Sequence, residues 1–346
     1  MNGTMPINET TEDNDDTAST YYRLITYAVY ATQGLYLTIA NSLIVVAILG
    51  YKQLRKKKEY ASICSLAAAD AVFGITLFAS ALDRAVKILS NTSKIRWTVL
   101  QCMYGSPALL WTLAYPMTGY MLFLVSLDRF IAIVSPMRYL ALTWKSTWRI
   151  CSAFFLASTL SFLAYLTVGL VHAQSSTGSL CTLGSTIGYA PVIAILIMSR
   201  LLTGSASVGL FLVVPFLYKR YVHKLNTATK QRANALAKQI ATQRRITITV
   251  GLSVTFTMLF QVVPSVLQIG LLALQDIDRT RYEPIIKILA NINPMCNAVL
   301  YVARHGDIRC GILAAVGCKQ HLPPGSAVNP AITVPRNEND NAVRTR

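Results

Sequence analysis

Four ionisable residues stand where ionisable residues are costly. Asp70 sits inside the apolar run SLAAADAV, Arg200 about a dozen residues into another, and the pair Asp128-Arg129 closes a third. An arginine at hydrocarbon depth costs roughly 2.5–3.5 kcal/mol on insertion scales, so each needs a counter-charge, a proton, a polar cage or water. Asp128-Arg129 belongs at the membrane edge, Arg129 held by its neighbour acid with its fork free to reach a partner. For Asp70 the alternatives are a functional site and a protonated acid hydrogen-bonded to a neighbouring helix. For Arg200 they are an anionic ligand group, a partner acid, or snorkelling to the lipid surface. The four histidines, 172, 223, 305 and 321, lie near different segment ends and form no cluster with acids or cysteines. No metal centre or hydrolytic site is expected from them.

The elements that must position these residues are membrane spans. With 53% hydrophobic residues, 14% charged and a mean hydropathy of +0.44 over 346 residues, the chain is too apolar for a soluble domain. Stretches long enough to span, about 20 residues each, fall at 25–49, 60–82, 100–128, 149–171, 187–218, 246–274 and 284–303. Seven spans put the N-terminus outside and the C-terminus inside. Lys52, Arg55, Lys56, Lys57 and Lys58, then Arg138, Lys145 and Arg149, then eight bases and no acid between Lys219 and Arg245 mark the inner loops. The net charge of +17 thus reports topology, and no nucleic-acid partner is expected. Residues 1–24 are polar and acidic and read as an extracellular, disordered tail with sequons at Asn2 and Asn8; a third sequon is at Asn91. The loop from Lys219 to Arg245 reads as helical extensions into the cytoplasm. Of seven cysteines only Cys102 and Cys181 fall in outer loops.

The stretch SLDRFIAIVSPMRY, Ser126 to Tyr139, resembles the Asp-Arg-aromatic box of rhodopsin-like G-protein-coupled receptors and the proline-containing inner loop that follows it. IANSLIVV around Asn41, Leu-Ala-Ala-Ala-Asp70, Pro264 in FQVVPSV, and ANINPMCNAVLY ending at Tyr301 resemble other signatures of that family in the correct order. The resemblance implies an all-α fold: a seven-transmembrane bundle over 25–303, an amphipathic surface helix over 304–318 and a disordered tail over 319–346. It assigns G-protein coupling to Asp128, Arg129, Pro136, Met137 and Tyr301, and a disulfide to Cys102 and Cys181. It also implies a polar cage of Asn41, Asp70, Thr118, Asn293 and Asn297, which holds a sodium ion in relatives; no other cofactor is expected. Thr118 lies three turns, about 16 Å, above Arg129 on one face, and Asn293 and Asn297 share a face. Cys310 and Cys318 stand where relatives carry palmitate.

The sequence departs from the family in places. The seventh-helix proline is Pro294, four residues early; Val262 stands where the family has its sixth-helix tryptophan, and the fourth span carries Trp148 at its inner edge and not at the family's mid-helix tryptophan position. The region before the sixth helix offers Arg244 and Arg245 in place of the acid that restrains the box arginine, which implies appreciable basal signalling. Asn291 where a retinal lysine would be, and Trp111 where an amine-binding aspartate would be, argue against opsins and amine receptors. The pattern is most similar to nematode chemosensory receptors of serpentine class sx. Trp111, Tyr115, Arg200, Gln261 and Gln268 are candidate contacts for an extracellular small molecule or peptide end. The partners expected are that ligand, a heterotrimeric G protein and the plasma-membrane bilayer. The alternatives are a neuropeptide receptor or a small transporter, and the transporter would need internal repeats that the two halves lack.

Overall fold

The computed structural model describes residues 9–55, 57–135, 139, 141–210, 212–213, 251–252, 254–273 and 279–317. Seven of its helices are long and apolar enough to cross a bilayer. They are α1 (Glu9–Gly50), α2 (Glu59–Leu89), α3 (Leu110–Val134), α4 (Trp144–Val171), α5 (Ala190–Leu210), α6 (Val254–Ala273) and α7 (Arg279–Arg304), and a short α8 (Gly306–Ala315) follows.

Helix α1 begins at Glu9, so residues 9–24 are helical turns and not the disordered tail the acidic composition suggests. The fit of α1 on α2 depends on two glycines. An added Cβ would lie 2.5 Å from the Phe78 backbone nitrogen at Gly34, and 2.7 Å from the Thr38 nitrogen at Gly74. Small residues let backbones approach where lipid offers no competing hydrophobic force. Helix α4 is the opposite case: only 11% of its apolar window is buried, so the rest faces the lipid.

The third span is broken where the sequence reads as one run over 100–128. Thr98 and Gln101 form a reciprocal capping box that starts a separate short helix, Val99–Gly105, and extended backbone at Ser106 ends it. Pro107 then opens a 3₁₀ turn into α3. Because of this break Cys102 sits on a different element from Arg129. Strand β1 (Arg96–Thr98) pairs antiparallel with β2 (Ser176–Gly178), Trp97 opposite Thr177. This small sheet is absent from the sequence reading: three-residue strands carry no measurable alternation. The disulfide Cys102–Cys181 closes beside it, with Cα atoms 5.4 Å apart.

Helices α5 and α6 both contain a π turn, Ile197–Leu202 and Met258–Val262. The α6 turn includes Phe260, whose carbonyl Pro264 cannot satisfy, so the widened turn absorbs the missing donor. In α5 the hydroxyl of Ser199 donates to the Ile195 carbonyl at 2.5 Å and that of Thr203 to the Ser199 carbonyl at 2.6 Å. Helix α8 is tied to the segment between α1 and α2: Asp307 pairs with Lys57 and accepts from the Tyr60 hydroxyl at 3.2 Å, while Ile308 is fully buried.

Candidate functional site

Three sites lie along the bundle axis. At the disulfide end, α1, α2, α3, α5, α6, α7 and the segment Thr182–Gly184 enclose a cavity of about 240 Å³. Its floor is apolar and aromatic, with Leu77, Trp111, Tyr115, Val192 and Leu196, and its rim carries Arg84, Glu283 and Lys287. Several of its polar groups are already engaged. The Trp111 indole donates to Ser80 at 2.9 Å, Asn291 to Gln33 at 3.0 Å and the Tyr30 hydroxyl to the Pro284 carbonyl at 3.1 Å. Lys287 pairs with Glu283 at 2.5 Å. Such a cavity holds a small amphipathic molecule: flat apolar walls take its body and rim charges fix its orientation. Of the candidate ligand contacts, Trp111, Tyr115 and Gln268 line it.

Arg200 and Gln261 do not. Both belong to the π turns, and they border a second, much smaller void of about 10 Å³ deeper in the bundle, together with Asp70, Thr118, Asn293 and Asn297. A π turn adds a residue to the helical repeat and so rotates side chains away from the face that 3.6-residue counting assigns. The cage is hydrogen-bonded: Asn293 donates to the Gln261 carbonyl oxygen at 2.8 Å and accepts from the Thr257 hydroxyl at 3.2 Å. Asn41 is buried but turned back on its own helix, donating to the Leu37 carbonyl at 3.0 Å, and is not in the lining. Thr118 lines the void while its hydroxyl donates to the Tyr115 carbonyl at 3.1 Å.

A carboxylate with amide and hydroxyl oxygens is suitable chemistry for a hard cation such as sodium. The expected cage nevertheless fits it poorly. Asn41 is missing, the Asn293 amide is occupied, and the Arg200 guanidinium brings a fixed positive charge into the same lining.

At the other end Arg129 is buried at 4% exposure, contrary to the expectation of a free fork at the membrane edge. Its guanidinium pairs with Asp128, and the Tyr139 hydroxyl stands 3.5 Å from Arg129 Nη2 and 3.4 Å from the Asp128 carboxylate. A buried arginine is tolerated only with such partners. Lys58 covers this group, its ammonium 4.0 Å from the centre of the Tyr139 ring and donating to the Tyr139 carbonyl. Burial raises the Tyr139 phenol above its ordinary value and lowers the Lys58 ammonium below its own. Asp307 is held below the usual carboxylate range: burial pushes it up, but the Lys57 ammonium and the Tyr60 hydroxyl outweigh that. Tyr139 and Lys58 have no sequence signal beyond a tyrosine in a loop and a lysine in a basic run.

Tyr301 packs in the core beside the His305 ring. Asn91 is exposed at the end of α2 with a left-handed backbone, and Cys310 is half-buried on α8. Pro136, Met137, Asn2, Asn8, Cys318, Arg244, Arg245 and the basic loop 219–245 lie outside the described residues. Residues 40–301 match the family described as 7 transmembrane receptor (rhodopsin family). No curated protein matches the chain significantly.

Proposed function

The chain belongs to the rhodopsin family of seven-transmembrane receptors, a receptor family that signals through G proteins and not an enzyme class; from that premise we propose that it detects a small extracellular organic molecule at the plasma membrane. The ligand enters the cavity of about 240 Å³ at the disulfide end, which faces outward, and the basic segments face the cytoplasm. A cavity of that size suits a compact ligand, or the last residue or two of a peptide, better than a folded peptide. The chemosensory reading, and within it the nematode serpentine class sx, rests on the displaced Pro294 and on Val262 in place of a tryptophan.

The observation that carries the signalling reading is the buried Arg129, clamped by Asp128 and Tyr139 at the end opposite the cavity. Ligand binding shifts the bundle between two states, and in the signalling state the Arg129 end opens to a heterotrimeric G protein. Nucleotide exchange on a panel of G-protein α subunits, in membranes bearing wild type or Arg129→Ala at matched surface level, tests this. Exchange catalysed by the wild type and lost in the variant is the expected result. Catalysed exchange that survives in Arg129→Ala sinks the role of the arginine.

A further inference from the structure

Asp70 and Arg200 are two buried charges bordering one void, and neither is fully satisfied. Asp70 is 3% exposed and, among the described residues, its Oδ2 has no hydrogen-bond partner; Arg200 is 7% exposed and its Nε has none among them. Among the residues lining the void, Asp70 is the one acid and Arg200 the one base. The void of about 10 Å³ has room for about one water. Arg200 is held there from both sides, its guanidinium carbon 4.3 Å from the centre of the Tyr115 ring and 5.2 Å from that of Phe73. Two aromatic faces and a carboxylate are a cation's surroundings. The backbone is shaped to allow it: Gly119 lets α3 approach α5 so closely that an added Cβ would sit 1.6 Å from the Ser199 carbonyl oxygen. That contact is at the π turn that carries Arg200.

We propose that Arg200 is the permanent counter-ion of Asp70, so that the cage in the middle of the bundle is filled by the chain's own cation and takes no metal ion. The charges are paired through the space of a single water, where a bridging molecule serves nearly as well as direct contact. A sodium ion in that void would stand beside a guanidinium in a medium that screens poorly, which opposes its entry. Arg200 also links two sites, because the Tyr115 ring that packs against it forms part of the floor of the larger cavity.

Two measurements on the full-length protein test the assignment, and both read folding, so they stand or fall independently of G-protein coupling. In the first, thermal unfolding of purified wild type is followed as sodium is replaced by N-methylglucamine at constant chloride; an unchanged midpoint is expected. In the second, surface-expressed receptor is compared for Asp70→Asn, Arg200→Gln and the double variant. Each single change strands one buried charge and lowers the folded amount several-fold, whereas the double variant recovers above the worse single. A wild-type midpoint that rises with sodium overturns the proposal, and so does a double variant expressed no better than the worse single.

Discussion

A tyrosine hydroxyl closes over the buried arginine at the end opposite the cavity. Asp128 neutralises Arg129, yet among the described residues Arg129 Nη1 is buried without a partner, and Tyr139 is one of the contacts that hold the group. Tyr139→Phe removes the hydroxyl and leaves the ring under Lys58. Losing a hydrogen bond worth about 0.5–1 kcal/mol should raise ligand-free nucleotide exchange roughly two- to five-fold; a rate equal to wild type at matched surface level would count against the latch. The box arginine and the intramembrane acid are legible in the sequence because charges in apolar runs stand out. Tyr139 is not, since nothing in a loop sequence says which way a ring folds back. The expectation of an unrestrained Arg129 looked for an acid near Arg244 and Arg245, while the restraint described here comes from the segment after α3. Lys58 is hidden differently: it sits in a basic run that topology alone explains.

Among the elements, the two π turns decide where side chains go. The number and order of spans are legible because each is an apolar run of membrane-crossing length. The faces of α5 and α6 are not, because periodicity assumes 3.6 residues per turn and one inserted residue shifts the register by about 100°. Arg200 and Gln261 therefore read as contacts of the larger cavity and lie in the cage. The α5 turn packs against Gly119. Gly119→Ala drives a methyl into the Ser199 carbonyl, and overpacking of this kind costs about 1–3 kcal/mol. The thermal midpoint of the purified protein should fall clearly, while Gly209→Ala, where an added Cβ meets nothing within 4 Å among the described residues, should leave it unchanged or slightly higher. Equal midpoints for the two would remove the close approach of α3 and α5 as a cause of the turn.

The whole molecule is pinned at both ends by different means. At one end the Cys102–Cys181 bond and the β1–β2 pair hold the segment that closes the cavity. At the other, Lys57, Tyr60 and Asp307 fasten α8. The disulfide closes a long loop and contributes about 2–4 kcal/mol, chiefly by restricting the unfolded chain. With Cys102→Ser and Cys181→Ser together, hydrogen exchange should quicken in residues 96–98 and 176–178 and stay as in wild type in α8; equal quickening at both places would show that the ends are not independent. The Asp70–Arg200 pair has another consequence, during synthesis. The acid enters the membrane with the second helix, and its arginine follows about 130 residues later. At roughly 5–20 residues per second, Asp70 waits on the order of ten seconds in lipid or in the insertion machinery before its counter-charge arrives. Helix α5 likewise carries an arginine that is costly to release alone. If Arg200 is the counter-ion of Asp70, assembly of this bundle is ordered in time, and the early helices are expected to stay an open half-molecule until the fifth joins them.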